Sequence, residues 1–333
     1  MTDRTKDAPM RHLIPSLAIA AALAFAAPAL AQTKWNVATA YPSDNYHTEN
    51  VAQFAKDVAA ATGGKLTMTV HANASLFKAP EIKRATQTGQ TQVGEIIYSL
   101  HENEDPIFGL DVLPFLAPSF PEAKKLWAVQ KPLVEKKLAS QGLMLLYSIP
   151  WPPQGLYTKK DVNGIEDLKG LKFRAYSAGT TRFAEIVGAQ PVTIQAAEFP
   201  QALATGVVNS TITSAATGYD SKIWESLTHY YDAQAWLPKN MVFVNKAAFD
   251  ALDKPTQAAV VAAAAEAETR GWKLAEEKSK WYVEQLKARG MKVLVPSPKL
   301  NEGLVKVGEQ LTADWLKRAG EPGKAVIEAY RKQ

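Results

Sequence analysis

No cysteine occurs among the 333 residues, which removes disulfide staples, thiol nucleophiles and thiolate-bound metals at once. Histidine is nearly as scarce. The 5 present, His12, His47, His71, His101 and His229, include no pair at the i, i+4 spacing of a helical zinc site. Also missing are a G-x-x-x-x-G-K-[ST] phosphate loop, a G-x-G-x-x-G turn after a strand and a G-x-S-x-G nucleophile elbow. Glu102, Glu104 and Asp105 stand together, but an acidic cluster in a loop reads as solvated surface rather than as a paired acid and base. An enzyme is therefore not expected, no cofactor is implied, and no metal site can be placed.

Beyond residue 31 no apolar stretch reaches the length of a membrane span. The net charge of +5 is mild and evenly spread, and no segment joins clustered Arg and Lys to aromatics as single-strand binding requires. Nucleic acid is set aside as a partner.

What is present begins with an address. Arg4, Lys6 and Arg11 precede an apolar run over 13–26, and Ala29, Leu30 and Ala31 stand before Gln32. That order predicts a cleaved secretory signal over 1–31, with a mature periplasmic chain beginning near Gln32. Met10, followed by Arg11 and His12, offers an alternative start to the same signal.

The rest alternates. Strand-like patterns at 34–40, 66–71, 93–99 and 143–149 are separated by helical patterns at 48–62, 80–89 and 122–141, which predicts an α/β fold. Pro150, Pro152, Pro153 and Gly155 interrupt the chain and mark either a hinge crossing between lobes or a surface loop. A second series follows, with strands at 172–175 and 190–194 and helices at 180–188 and 198–205. Residues 255–289 then run as one long helix with Gly290 as its stop, long enough to brace two lobes. A short strand at 293–295 and helices at 301–317 and 324–331 close the chain. The expected division is 32–150 plus about 240–296 in lobe I, and 151–239 plus about 297–333 in lobe II.

Polar and aromatic residues collect at strand ends and crossings: Tyr41, Asn45, Tyr98, Trp151, Gln154, Arg174, Thr213 and Ser214. In open α/β sheets ligands lie beyond the carboxyl ends of the strands, so these side chains are candidates to converge on a cleft. Arg174 stands out as a lone cation between apolar strand residues and a small-residue turn. Its guanidinium suits a carboxylate bidentately, although an ion pair with Glu166 or Glu198 would equally account for an arginine there.

Three stretches resemble one family closely: Gly170-Leu171-Lys172-Phe173-Arg174, Gly188-Ala189-Gln190-Pro191-Val192, and Glu198 to Leu203 (EFPQAL) with Gly206-Val207-Val208-Asn209. They are similar to the signature of DctP-type extracytoplasmic solute receptors, the binding proteins of TRAP transporters, and the likeness extends over the whole mature chain. The resemblance implies a periplasmic binding protein-like fold of two α/β lobes closing on a small organic acid. It further implies a salt bridge from Arg174 to the ligand carboxylate, and delivery to integral membrane subunits by a monomeric receptor. Some members use a metal ion to hold ligand. Gln154 falls where some members carry a second ligand-facing arginine, so a monocarboxylate is expected, and Tyr98 falls where the other lobe often lines the pocket. The chain departs from the family at Asn209, Ser210 and Thr213, which changes the hydrogen bonds expected around the acid. Trp151, Tyr219 and Trp236 suggest aromatic walls suited to an aromatic or apolar ligand, and core packing explains the same rings equally well. The alternative function is a receptor of another transporter class, or a sensor, for a ligand without a carboxylate.

Overall fold

The computed structural model describes residues 32–333; the expected signal segment and the alternative start at Met10 lie outside the described residues. The chain opens with β1 (Thr33–Thr39), α1 (Tyr46–Ala61), β2 (Leu66–His71), α2 (Ile82–Gln87) and β3 (Val93–Ile97). After two 3-10 turns come α3 (Phe120–Ala139) and β4 (Leu143–Pro150). The next series is β5 (Gln154–Thr158), β6 (Lys172–Ala175), α4 (Ala178–Ile186), β7 (Gln190–Thr193), α5 (Phe199–Ala204), β8 (Ser210–Ser214), α6 (Ala215–Asp220) and β9 (His229–Tyr231). β10 (Lys239–Asn245), α7 (Lys246–Asp250), α8 (Lys254–Ala288), β11 (Lys292–Leu294) and α9 (Pro298–Arg331) complete it.

These strands form two sheets, ordered β2-β1-β3-β10-β4 and β11-β9-β5-β8-β6-β7. In the first, β1 is parallel to β2 and β3, while β10 runs antiparallel between β3 and β4. In the second, β6 is parallel to β7 and β8, and β5 is antiparallel to β8 and β9. Each sheet is the centre of one α/β lobe. β3 is buried at four of its five positions, as a strand between two neighbours requires.

The interruption at the prolines is shorter than the sequence suggests. β4 ends at Pro150 and β5 starts at Gln154, so three residues carry the chain across. Proline has no N–H to donate, so backbone donors come only from the ends of this crossing: Trp151 N–H donates to Pro238 O at 2.7 Å and Gln154 N–H to Trp236 O at 3.0 Å. The return crossing between β9 and β10 therefore lies alongside the outward one.

Helix α8 starts on Asp253, whose side chain accepts from Thr256 N–H, and Gly290 at φ 89° follows its end. It packs on α1 and β4 of the first lobe and on α6 of the second. Two boundaries differ from expectation. β11 pairs with β9 in the second sheet, because the end of α8 has already crossed over; Lys292 N–H donates to Thr228 O at 2.9 Å. Residues 292–294 thus belong with the second lobe's sheet rather than with lobe I. α9 touches α4 but also α3 and the turn Pro106–Val112, so the C-terminal segment spans both lobes. It is broken at Gly320 (φ 59°, ψ −148°), with Pro322 close behind, where the sequence separates two helices.

Among the described residues, no helix is long and apolar enough to cross a membrane.

Candidate ligand-binding cavity

Arg174 lies on β6, between β7 and β8, near the carboxyl end of the strand. It is 3% exposed. Its Nε donates to Ile194 O at 2.9 Å, and the guanidinium sits over the rings of Phe199 and Tyr176, with centroids at 4.5 and 5.0 Å. Burial lowers its pKa to about 10, which leaves it charged at neutral pH. Neither carboxylate that might have explained it is its partner: Glu166 pairs with Lys299, and no ion pair to Glu198 or any other acid holds Arg174 among the described residues. A buried cation without a counter-ion is costly. Aromatic faces offset part of that cost, and the outer edge of the fork is left for an anion.

That edge faces a cavity of about 40 Å³ between the lobes. The second lobe contributes Arg174, Gln154, Tyr176, Gln195, Thr213 and Thr217, the first contributes Ala40, Tyr41, Ile96 and Ile97, and Trp151 and Pro238 come from the two crossings. Polar capacity beside the arginine is neutral. Gln154 Nε2 donates to Pro152 O at 2.9 Å, and its Oε1 accepts from the Tyr176 hydroxyl at 3.3 Å. That hydroxyl in turn accepts from Trp236 Nε1 at 3.1 Å. On the opposite wall Tyr41 and Trp151 meet edge to face at 4.9 Å.

Of the sequence candidates, Arg174, Gln154, Tyr41, Trp151 and Thr213 therefore line one cavity. The others stand elsewhere. Tyr98 directly follows the end of β3, but it opens the turn Tyr98–His101 and is fully buried against Phe108 and Trp127 rather than facing the cavity. Asn45 caps α1 and donates from Nδ2 to Asp220 Oδ2 at 2.6 Å, and Ser214 caps α6. Trp236 stands behind Tyr176, and Tyr219 packs with Trp224, Trp281 and Tyr282 away from the cavity. Each is a cap or a packed ring, the structural role open to that residue type at such a position. Sequence reasoning missed Tyr176, Gln195 and Thr217. Tyr176 carried a usable signal, since it follows the arginine strand by one residue; Gln195 and Thr217 carried none.

Two contacts outside the cavity lining tie the lobes together. Asn45 to Asp220 is one. In the other, the buried Glu102 of the first lobe accepts from Gly179 N–H at the start of α4, with Arg318 Nη2 3.9 Å from its second oxygen. A carboxylate is favoured at a helix N-terminus.

Two α/β lobes joined by adjacent crossings and closed over a buried, unpaired arginine define a solute-binding receptor. Residues 37–318 match the family described as bacterial extracellular solute-binding protein, family 7, or DctP. Among solved structures, the chain is 56% identical to DctP6 of Bordetella pertussis, an extracytoplasmic solute receptor binding pyroglutamic acid; the match covers 90% of this chain and 100% of that one at TM-score 0.89. It is 46% identical to a TRAP solute-binding protein from an unidentified marine metagenome microbe, specific for pyroglutamate, over 91% and 99% of the two chains at TM-score 0.89. A solute-binding protein of Albidiferax ferrireducens is 25% identical over 66% of each chain. The chain belongs to the DctP family and is a TRAP-type extracytoplasmic solute receptor.

Proposed function

We propose that the ligand is pyroglutamate or a similarly compact monocarboxylate. The observation that carries this is Arg174: one buried cation with an open edge, in a small cavity whose other polar groups, Gln154, Gln195, Thr213 and Thr217, are all neutral. A single carboxylate answers the arginine, and a lactam or other neutral group suits amides and hydroxyls. The relatives at 56% and 46% identity that bind pyroglutamate support the same reading. Arg174 would clamp the carboxylate bidentately, Gln154 and Thr213 would orient the rest, and Tyr41 and Trp151 would cover its apolar side. Because contacts come from both lobes, binding favours closure. The exported monomer, beginning near Gln32, then presents the acid to the TRAP membrane subunits in the periplasm without covalent chemistry.

A thermal-shift screen of acids, neutral sugars and cations tests this, since a ligand of the native state raises Tm. Pyroglutamate should stabilise the protein, and Arg174→Ala should weaken calorimetric affinity at least about tenfold, the scale of a lost charge-assisted contact. Stabilisation only by compounds without an acid group would overturn the proposal.

A further inference from the structure

Behind the Tyr41–Trp151 wall lies a buried carboxylate that the arginine clamp does not explain. Asn240, fully buried on β10, accepts at Oδ1 from both Trp151 Nε1 at 2.8 Å and the Tyr41 hydroxyl at 3.2 Å. Its Nδ2 donates to Glu95 Oε1 at 3.1 Å. Glu95, on the neighbouring β3 and fully buried, accepts from the Thr39 hydroxyl of β1 on its other oxygen. The amide of Asn240 has only one workable orientation. Turned over, its NH2 would face the indole N–H donor and its carbonyl would face a carboxylate. Glu95 thus sets Asn240, and Asn240 sets the two rings.

This arrangement fixes the chemistry of the wall. The indole and phenol hydrogens are both committed to Asn240, so Trp151 and Tyr41 have no free donor to offer and meet a ligand chiefly with ring surface. Glu95 has no Lys or Arg partner among the described residues. The groups facing it are Thr39 from β1, Asn240 from β10, and from α1 His47, whose Nδ1 is 3.5 Å from Oε1. The phenols of Tyr41, Tyr46 and Tyr147 feel its charge from the surrounding elements. His47 is buried against Trp151, with ring centroids 4.2 Å apart, and burial holds its pKa well below the usual histidine value. It therefore supplies no counter-charge. An anion in the cavity adds a second negative charge on the far side of the same two rings.

We propose that Glu95 and Asn240 are the positioning pair of this wall, and that binding of an anionic ligand is linked to protonation of Glu95. The inference rests on the carboxylate reading above. Burial already raises the Glu95 pKa to about 7, and a nearby anion raises a carboxyl further. The bound state therefore holds more proton than the free state around neutral pH, and affinity rises as pH falls from 8 to 6. The wall survives protonation, because the carbonyl oxygen of the neutral acid still accepts from Asn240.

Titration calorimetry with pyroglutamate at pH 6, 7 and 8, each in two buffers of different ionisation enthalpy, tests the proposal. The wild-type protein should take up protons on binding near pH 7 and bind about threefold or more tighter at pH 6 than at pH 8, the scale of a like charge partly screened at close range. Glu95→Gln should lose both the uptake and the pH response. Asn240→Leu should weaken binding about tenfold, and adding Tyr41→Phe should cost little more, because the two changes remove one shared interaction. The buffer comparison on wild type needs no variant to fold. Binding without proton uptake, or uptake that persists in Glu95→Gln and so resides at His47, overturns this inference and leaves the carboxylate reading standing. Failure of any acid to bind overturns both.

Discussion

At the scale of single residues, the arginine proposed as the ligand clamp should serve binding and oppose stability. Arg174 is almost fully buried, and its partners within the protein are a carbonyl and two ring faces. Arg174→Met fills similar volume without charge, so the ligand-free protein should melt higher than wild type by a few degrees, roughly 2 to 4 °C per kcal/mol recovered. The acid-induced shift in Tm should vanish. Arg174→Lys should fare no better in binding, since a lysine has no Nε–H to hold on Ile194 and no planar fork to offer a carboxylate. Melting curves with and without pyroglutamate check both; a Met variant that still shifts with ligand would refute the clamp. Arg174 was legible in the sequence because a cation between Phe173 and Ala175 breaks the apolar pattern of its own strand. Asn240 was not, because its meaning comes from Tyr41, 199 positions away, and no local pattern encodes a contact of that separation.

At the scale of elements, the strands and helices with strong periodicity were readable and the short connections were not. α1, β2, β6 and α8 lie where alternation or helical spacing puts them, and the kink in α9 lies where Gly320 and Pro322 forbid a continuous helix. β5 is hidden because Pro152 and Pro153 mask a strand that begins one residue later, and the three residues of β11 carry no information about which strand they join. Packing also explains a glycine that helix propensity cannot. Gly271 lies mid-helix in α8, and a Cβ there would overlap Ile149 Cγ2 and stand 2.9 Å from Cδ1. Gly271→Ala gains about 1 kcal/mol of helix propensity but pushes α8 off β4, a clash of about 1–3 kcal/mol. The variant should therefore melt lower, and Ile149→Ala in the same chain should cost less than it does alone. Denaturant melts of the two single variants and the double measure this directly; additive losses would show that the contact is not tight.

At the scale of the whole molecule, closure depends on contacts that cross between the lobes, and one of them titrates. Asp220 ends α6 in the second lobe and accepts from Asn45 at the start of α1 in the first. Burial raises its pKa to about 7, against the smaller opposing effect of the Asn45 hydrogen bond. In the unfolded chain the same carboxyl titrates in the ordinary range near 4. Between these values the folded protein holds a proton that the unfolded chain has released, so stability from this group is present at low pH and is lost as pH rises from about 4 through about 7. Asp220→Asn keeps an oxygen for the Asn45 amide and removes the titration. The fall in Tm between pH 6 and pH 8 should be smaller in Asp220→Asn than in wild type by about 2 to 4 °C. The change should be independent of pyroglutamate concentration, which separates it from the response assigned to Glu95. Equal slopes in the two proteins would mean that Asp220 is open to solvent and that the Asn45 contact does not hold the lobes.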